Sequence, residues 1–231
     1  RRGAYILQDE CFEFERNLAK FMGVKHALGV ANGTDAIIIG LKAAGIGVGD
    51  EVILPSHTYI ATAAAVHLVG ATPVLAECSS DHMLDPNDAE QRITSRTKAI
   101  MPVHINGRTC DMDAISRIGW DHGCSIIEDA AHALGAKYAS GDPVGCCKYS
   151  DMTVFSFHPV KLIAAGEGGL VTTNNEKYYR SLLRLRSHGI NKFDDRLYFE
   201  EEAFTGDNVN PWYYEMQELG FQYRITDIQS A

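Results

Sequence analysis

Short apolar segments alternate with amphipathic helical segments along most of this chain, and this alternation constrains its fold more than any other feature. A predicted strand over 27–31 precedes a helix over 34–44, and a strand over 51–55 precedes an alanine-rich helix over 59–69. Strands separated by helices of about 10–15 residues need crossover connections, which favour a parallel sheet covered on both faces. The chain is therefore predicted to be an α/β protein with three layers, α/β/α, around a mainly parallel sheet.

The same pattern extends to both sides of this region. The spacing of apolar residues predicts a helix over 9–22 with Asp9 as its N-cap and Gly23 at its C-terminus. Residues 191–215 show no clear period, which is typical of a functional or mobile loop, and a last helix begins near Thr226. The remaining predicted elements are strands over 72–76, 98–103, 125–128, 152–157 and 169–173 and helices over 86–93, 111–122 and 175–187.

The charge balance argues against some classes of partner. The 231 residues carry 21 Lys plus Arg against 30 Asp plus Glu, a formal net charge of −9, which disfavours nucleic acid or an anionic membrane surface. No apolar run approaches the ~20 residues that a membrane-spanning helix needs, and the first residues do not resemble a secretory signal. A location in the cytoplasm is therefore predicted.

The cysteine pattern predicts neither a metal site nor a disulfide framework. The six cysteines form no C-x-x-C pair, and their spacing suits neither a zinc ribbon nor a small secreted scaffold. Reduced, mostly buried thiols are predicted instead, at Cys11, Cys78, Cys110, Cys124, Cys146 and Cys147.

Polar side chains follow the predicted strands at their carboxyl ends, where ligands bind in α/β sheets. Together they predict an anion site, an aromatic platform, an acid and a lysine at one edge of the sheet. The residues are Asn32, Gly33 and Thr34 after the first strand, then Tyr59, His104, Asp129, His132, Ser156, His158 and Lys161 after later strands.

Each of these residues also has an ordinary structural explanation when taken alone. Gly33-Thr34 offers free N–H groups to a phosphate, but it also fits a capped helix. Asp129 at a buried strand end needs a cation or strong donor, which a neighbouring Arg or Lys could supply. His132 alone fits a satisfied polar residue. Lys161, in a loop of small residues, fits either a desolvated nucleophile or a surface lysine.

Taken in order, five strings resemble the sugar-nucleotide aminotransferases of the DegT/DnrJ/StrS type, within the fold-type I enzymes that use pyridoxal 5'-phosphate (PLP). Each string is weak alone, but the ordered set is specific, and the similarity covers residues 5–231. The strings are N-G-T-D-A at 32–36, E-D-A-A-H at 128–132, S-F-H to G-E-G-G at 156–169, R-S-H-G at 186–189 and G-F-Q-Y-R at 220–224.

The resemblance implies a role for each residue at the PLP ring. Lys161 is expected to bond the cofactor as a Schiff base, which favours transamination because dehydratase relatives carry His at this position. Asp129 is expected to hold the pyridine nitrogen protonated, and His132 to lie near the phenolic oxygen. Tyr59 is expected to stack on the ring, and His104 to lie near the cofactor face.

The resemblance also implies how the phosphate is held and how the chain is organised. Gly33, Thr34 and Ser156 are expected to bind the phosphate, with Gln222 of a neighbouring subunit in a position where the family often has Asn. Residues 1–190 are expected to form the PLP-binding large domain, with a mainly parallel mixed sheet. Residues 191–231 are expected to form a substrate and dimer-interface loop and the start of a truncated C-terminal part. The small domain is then largely absent, and the protein is a homodimer with shared active sites.

The expected reaction moves an amino group from an amino acid, glutamate by resemblance, to a keto-deoxy sugar nucleotide. Residues 210–220 resemble the subgroup that aminates UDP-linked 4-keto-6-deoxy-N-acetylhexosamines on the pseudaminic acid route of polysaccharide biosynthesis. A 3-keto or 4-keto dTDP- or GDP-sugar aminotransferase stays open as an alternative. So does a catalytically silent PLP-binding relative.

Overall fold

The structure is a computed structural model that describes residue 3, residues 5–191 and residues 197–231. The helices of this part of the chain are α1 (Asp9–Met22), α2 (Gly33–Ala43), α3 (Ile60–Leu68), α4 (Pro86–Gln91), α5 (Met112–Asp121), α6 (Glu176–Arg186), α7 (Glu200–Ala203) and α8 (Asp227–Ser230). The strands are β1 (His26–Val30), β2 (Glu51–Pro55), β3 (Thr72–Ala76), β4 (Thr97–Ile100), β5 (Ser125–Asp129), β6 (Met152–Ser156), β7 (Gly169–Thr173), β8 (Ile190–Asn191), β9 (Phe204–Thr205), β10 (Asn208–Val209) and β11 (Glu215–Met216).

Seven of these strands form one sheet in the order β1-β7-β6-β5-β4-β2-β3. Neighbouring strands from β6 to β3 are parallel, and β7 runs antiparallel to both β6 and β1. Within this sheet β7 is therefore the reversed strand, and the carboxyl ends of the other six lie at the same edge. The predicted mainly parallel mixed sheet is confirmed.

Helices cover both faces of the sheet, and this explains why its strands are apolar along their whole length. Alternate residues of β2 enter different hydrophobic clusters, with Ile53 on one face and Val52 and Leu54 on the other. The first cluster includes side chains of α1, α4 and α5, and the second includes side chains of α2, α3 and α6. A sheet buried on both faces needs this unbroken apolar pattern, so the predicted three-layer architecture is confirmed.

The predicted elements match the observed ones to within a few residues, and the differences lie at their ends. Asp9 is not the N-cap of α1, because Gln8 holds that position with an extended backbone and Asp9 is already helical. Its carboxylate then lies at the positive end of the helix dipole. Gly23 ends α1 in the left-handed conformation, as predicted. Asn32 caps α2, and its side chain accepts the N–H of Asp35 at 2.9 Å.

Arg186, from the R-S-H-G string, is an anchor between layers. Its side chain is 2% exposed, and its guanidinium contacts the Glu15 carboxylate of α1 and the Gly29 carbonyl of β1. A buried guanidinium needs such a partner, and this one ties α6 to both elements.

Residues 197–231 add short pairings at one side of the sheet. Strands β9 and β10 pair with each other, as do β8 and β11. The chain then returns along the sheet edge, where Gln222 pairs with Ser187 and Arg224 with Val30. Of the predicted loop over 191–215, residues 192–196 lie outside the described residues. The division into 1–190 and 191–231 stays a prediction.

Two expectations about composition can be compared with these residues. In the described ranges, no helix is both long and apolar enough to cross a membrane. All six cysteines are free, and Cys11, Cys110, Cys124 and Cys147 are buried. The same ranges hold no group of three or more His, Cys, Asp or Glu side chains placed to bind a metal ion.

Candidate active site

The edge of the sheet where six strands end carries a cavity of about 740 Å³. The segments after β1, β2, β4, β5 and β6 form its wall. Seven of the eight residues expected at the site line it together, namely Gly33, Thr34, Tyr59, Asp129, His132, Ser156 and Lys161. Gln222 lies instead on the exposed return segment at the sheet edge.

Asp129 ends β5, and only 6% of its surface is exposed. The Thr62 hydroxyl donates to its Oδ2 at 2.9 Å, and the Ala131 N–H donates to its Oδ1 at 3.2 Å. Neither donor carries a charge, and no Arg or Lys in the described part of the chain forms a salt bridge with it. A buried carboxylate with neutral donors alone favours a ligand that brings positive charge.

Lys161 lies in the loop after β6, which is closed by backbone hydrogen bonds from Phe157 to Gly168 and from Ala165 to Phe157. The side chain is half-buried. Burial lowers the pKa of Lys161, and the nearby Asp129 carboxylate opposes that shift. A lowered pKa increases the share of neutral amine, which is the form that attacks a carbonyl carbon.

His132 is held as a neutral ring with one defined tautomer. Burial lowers its pKa, the positive charge of Lys161 lowers it further, and Asp129 opposes both. The backbone N–H of Asn106 donates to its Nδ1 at 3.1 Å, so the proton of the neutral ring is on Nε2. Asn106 reaches this position from a left-handed conformation with φ 54° in the one-turn helix Ile105–Gly107. The Nε2–H is thus the donor that His132 can offer to a ligand.

The start of α2 and the end of β6 form a close-packed site for an anion. A Cβ added to Gly33 would lie 2.9 Å from the Cβ of Ser156 and 3.3 Å from its Oγ. A Cβ added to Gly169 would lie 2.3 Å from the carbonyl oxygen of Asn32. Only glycine fits these positions, and the contact places the Ser156 hydroxyl beside the first N–H groups of α2. Such groups have no carbonyl partner within their helix and bind phosphates readily.

Two further groups shape the cavity wall. Tyr59 precedes α3 and is 73% exposed, so its ring is accessible to a ligand. Asp35 lies in the first turn of α2, and burial raises its pKa to about 6, although a hydrogen bond from Asn32 opposes the shift. An acid beside an anion site is tolerated more easily when its pKa is raised, because its charge is then partly absent near neutral pH.

Glu128 and His104 belong to one buried network, and His104 also lines the cavity. The expected place of His104 near a cofactor face stays a prediction. Both residues are 0% exposed. The Cys110 N–H donates to Nδ1 of His104 at 3.2 Å, so His104 donates its Nε2–H to Glu128 at 2.7 Å. Both ring nitrogens are therefore used inside the protein, and His104 cannot offer a polar contact to a cofactor face. Glu128 also accepts hydroxyls of Tyr138, Ser150 and Thr153.

The sequence analysis missed two residues that act on the site, although each left a signal. Thr62 is a polar residue four positions after Thr58 in an alanine-rich helix, and such a pair lies on one helix face. Asn106 precedes Gly107, and the Asn-Gly dipeptide predicts a turn with left-handed backbone. Neither signal by itself names the partner across the cavity.

Comparison with known proteins identifies the family. Residues 1–231 match the DegT/DnrJ/EryC1/StrS aminotransferase family along their whole length. The chain belongs to this family. GDP-perosamine synthase of Caulobacter vibrioides, for example, is 44% identical over 220 residues, which cover 95% of this chain and 54% of that protein.

Two more relatives show the spread of the family. The dTDP-3-amino-3,4,6-trideoxy-alpha-D-glucose transaminase of Streptomyces venezuelae is 40% identical over 230 residues, covering 99% of this chain and 58% of that protein. The solved structure of Helicobacter pylori PseC, an aminotransferase involved in the biosynthesis of pseudoaminic acid, superposes with a TM-score of 0.84 at 30% identity. It covers 99% of this chain and 57% of that one. The chain thus spans just over half the length of these family members, and the predicted fold and family are confirmed.

Proposed function

We propose that the natural protein is a PLP-dependent aminotransferase that moves an amino group from an amino acid, glutamate, to the ketone of a deoxy sugar nucleotide. The observation that carries this proposal is the placement of Lys161, Asp129 and His132 around one cavity of a chain in an aminotransferase family. A lysine with a lowered pKa, and an acid that forms no salt bridge with the Arg and Lys residues the structure describes, are the two groups that such chemistry needs.

The residues of the cavity fit PLP at three points. The N–H groups of Gly33 and Thr34 and the Ser156 hydroxyl would hold the phosphate. The Asp129 carboxylate, whose hydrogen-bond donors in the described part of the chain are both neutral, would hold a protonated pyridine nitrogen. Lys161, whose pKa is lowered by burial, would bond the aldehyde carbon.

Bound PLP supplies an electron sink that stabilises negative charge on the carbon next to the reacting amine. The residues of the chain supply the proton transfers and the orientation. The Lys161 amine would take a proton from that carbon and return it to the C4′ carbon of the cofactor, work that is typically worth about 10²–10⁴-fold in rate. His132 would donate its Nε2–H to the phenolic oxygen, and the Tyr59 ring would stack on the cofactor and exclude water.

For the acceptor we propose a UDP-linked 4-keto-6-deoxy-N-acetylhexosamine, on the strength of residues 210–220 and the fold shared with PseC. A GDP- or dTDP-linked keto sugar is the second candidate. The specific observation in its favour is the higher identity, 44% and 40%, to relatives named for GDP and dTDP sugars. The shared chemistry is an acceptor ketone on a nucleotide-linked sugar.

We also propose that the active form is a homodimer, located in the cytoplasm, in which Gln222 serves the partner's site. Gln222 is exposed on the return segment and does not line the cavity of its own chain. In this arrangement residues 1–190 form the PLP-binding domain, and residues 191–231 form the substrate and interface segment. Cross-linking of a Gln222→Cys variant to its partner's cavity would test the arrangement, and formation of that link only within one chain would refute it.

The first experiment adds PLP to the natural protein, reduces the adduct with borohydride and locates the modified lysine by mass spectrometry. Label on Lys161, and bleaching of the visible band by glutamate, are expected. The Lys161→Ala variant should lose both, whereas Lys137→Ala, a change at an exposed lysine away from the cavity, should keep both. Full turnover in Lys161→Ala would refute the assignment.

The second experiment shows which sugar nucleotide is the acceptor, and it distinguishes an active aminotransferase from a catalytically silent relative. The glutamate-treated enzyme is mixed with UDP-, GDP- and dTDP-linked keto sugars, and recovery of the visible band is followed. Fast recovery with one nucleotide identifies the acceptor class. Cofactor that binds but never bleaches with glutamate indicates a catalytically silent relative, against which the retained Lys161 and Asp129 count.

A further inference from the structure

We propose that Thr62 is a positioning residue: its hydroxyl fixes the orientation of the Asp129 carboxylate toward the ring nitrogen of PLP. The inference rests on the proposed function, because that function assigns Asp129 to the nitrogen. Thr62 itself would touch neither cofactor nor substrate through this bond, and it acts through Asp129.

The contact joins two distant parts of the chain at the bottom of the cavity. Thr62 lies on α3 and is 1% exposed, and its Oγ1 lies 2.9 Å from Oδ2 of Asp129 at the end of β5. The Ala131 N–H holds the other oxygen, Oδ1, at 3.2 Å. Each carboxylate oxygen is thus held by one donor, and together the two bonds fix the rotation of the carboxylate.

The direction of the hydrogen bonds follows from counting protons. An ionised carboxylate only accepts, so Thr62 gives its single O–H proton to Asp129. The Thr58 hydroxyl lies 2.9 Å from the Thr62 hydroxyl, and Thr58 must therefore be the donor in that pair. The two hydroxyl dipoles point in series toward Asp129. Hydrogen bonds in series strengthen each other, so the Thr58 hydroxyl reinforces the bond by which Thr62 holds Asp129.

The N-terminal turn of α3, which carries Thr62, also positions a second residue of the proposed site. Tyr59 holds the N-cap position of α3 and exposes its ring to the cavity, while Thr62 lies within the first turn of that helix. The first turn of α3 therefore links the group that would stack on the ring to the group that orients the acid at the ring nitrogen. A change at Thr62 should be felt at that nitrogen and not at the phosphate.

The experiment compares Thr62→Val with Thr62→Ser in the natural protein and uses two cofactors. One is PLP, and the other is its carbon analogue, which has a C–H group in place of the pyridine nitrogen. Affinity of each apoprotein for both is measured by fluorescence titration. Thr173→Val is the matched control, because Thr173 is 1% exposed and its hydroxyl bonds the Asp151 carbonyl and the Asn175 N–H outside the cavity.

The wild-type protein should prefer PLP over the carbon analogue. Thr62→Val should reduce that preference by roughly tenfold or more, the effect of losing a hydrogen bond to a charged group, and leave the affinity for the analogue unchanged. Thr62→Ser should restore the preference to within about threefold, and Thr173→Val should not alter it. In turnover, Thr62→Val should lower kcat for glutamate while KM changes little.

The outcomes separate the inference from the proposed function. If the wild-type protein does not prefer PLP, the assignment of Asp129 to the nitrogen fails, and the proposed function fails with it. If wild type prefers PLP but Thr62→Val keeps the same preference, or loses affinity for both cofactors equally, the positioning role is refuted and the function stands. Should Thr62→Val not fold, Thr58→Val decides the matter, with a smaller loss of the same preference expected and an unchanged preference counting against the proposal.

Discussion

Replacement of Tyr138 by Phe tests how much the buried hydrogen-bond network of Glu128 contributes to the stability of the protein. The Tyr138 hydroxyl donates to Oε2 of Glu128 at 2.7 Å, and its residue is 5% exposed. The change removes one oxygen and leaves the ring in place, so the effect of the small void is minor. The lost bond is one to a buried charged acceptor, which is worth about 1.5–3 kcal/mol. We therefore expect the free energy of unfolding in urea at pH 7 to fall by that amount.

Tyr149→Phe is the matched control for this prediction. Tyr149 is 6% exposed and its ring packs against Tyr138 with centroids 5.0 Å apart, but its hydroxyl does not contact Glu128. In Tyr149→Phe the free energy of unfolding should fall by less than about 1 kcal/mol, which is the contribution of a neutral hydrogen bond. Equal losses in the two variants would show that burial of a phenol, and not the bond to Glu128, sets the effect.

The pH dependence of the stability difference between wild type and Tyr138→Phe gives a sharper test. Burial opposes ionisation of Glu128, but hydrogen bonds from His104, Ser150 and Tyr138 hold its pKa below the usual range. Its stabilising contribution is therefore present above the unfolded pKa of about 4.3 and lost as the pH falls. Burial and Glu128 raise the pKa of Tyr138, so the phenol contribution is present below about pH 10 and lost as the pH rises. The difference between wild type and Tyr138→Phe should be largest between about pH 5 and pH 9, and a constant difference up to pH 11 would refute the reasoning.

Two further predictions concern the anion site, with inorganic sulfate as the probe because its charge is constant over the pH range used. Gly33→Ala should weaken sulfate binding to the apoprotein by roughly tenfold or more while the far-ultraviolet circular dichroism stays unchanged, because the new Cβ would lie 2.9 Å from the Cβ of Ser156. Wild-type affinity for sulfate should fall as the pH rises through about 6, where Asp35 ionises, since like charges repel. Sulfate affinity is measured at each pH by calorimetric titration, and in an Asp35→Asn variant it should not change with pH. If the affinity of the variant falls with pH as that of wild type does, Asp35 is excluded as the cause.

Local patterns were enough to predict the sheet and to name most of the expected residues that line the cavity. Strand and helix periods are properties of neighbouring residues, and ligand residues of an α/β sheet follow its strand ends, so Asp129 and Lys161 could be named from sequence. The contact of Thr62 with Asp129 spans 67 positions, and only the packing of α3 against the sheet brings it about. The N-cap of α1 was misplaced by one residue because the backbone angles of Gln8, and not the side chain of Asp9, decide where the helix begins.

Glu128 and Asp129 show how one strand separates an acid inside a buried hydrogen-bond network from an acid that faces the cavity. Successive side chains of a strand point to opposite faces, so the two carboxylates enter different environments although they are neighbours in β5. The Glu128 carboxylate accepts four hydrogen bonds, from His104, Tyr138, Ser150 and Thr153, which fills the roughly four sites that its two oxygens offer. The Asp129 side chain accepts two, and it faces the cavity. The acid with unused acceptor capacity is the one that faces the cavity, and this difference in hydrogen bonding supports the proposed role of Asp129 where the residue types alone do not.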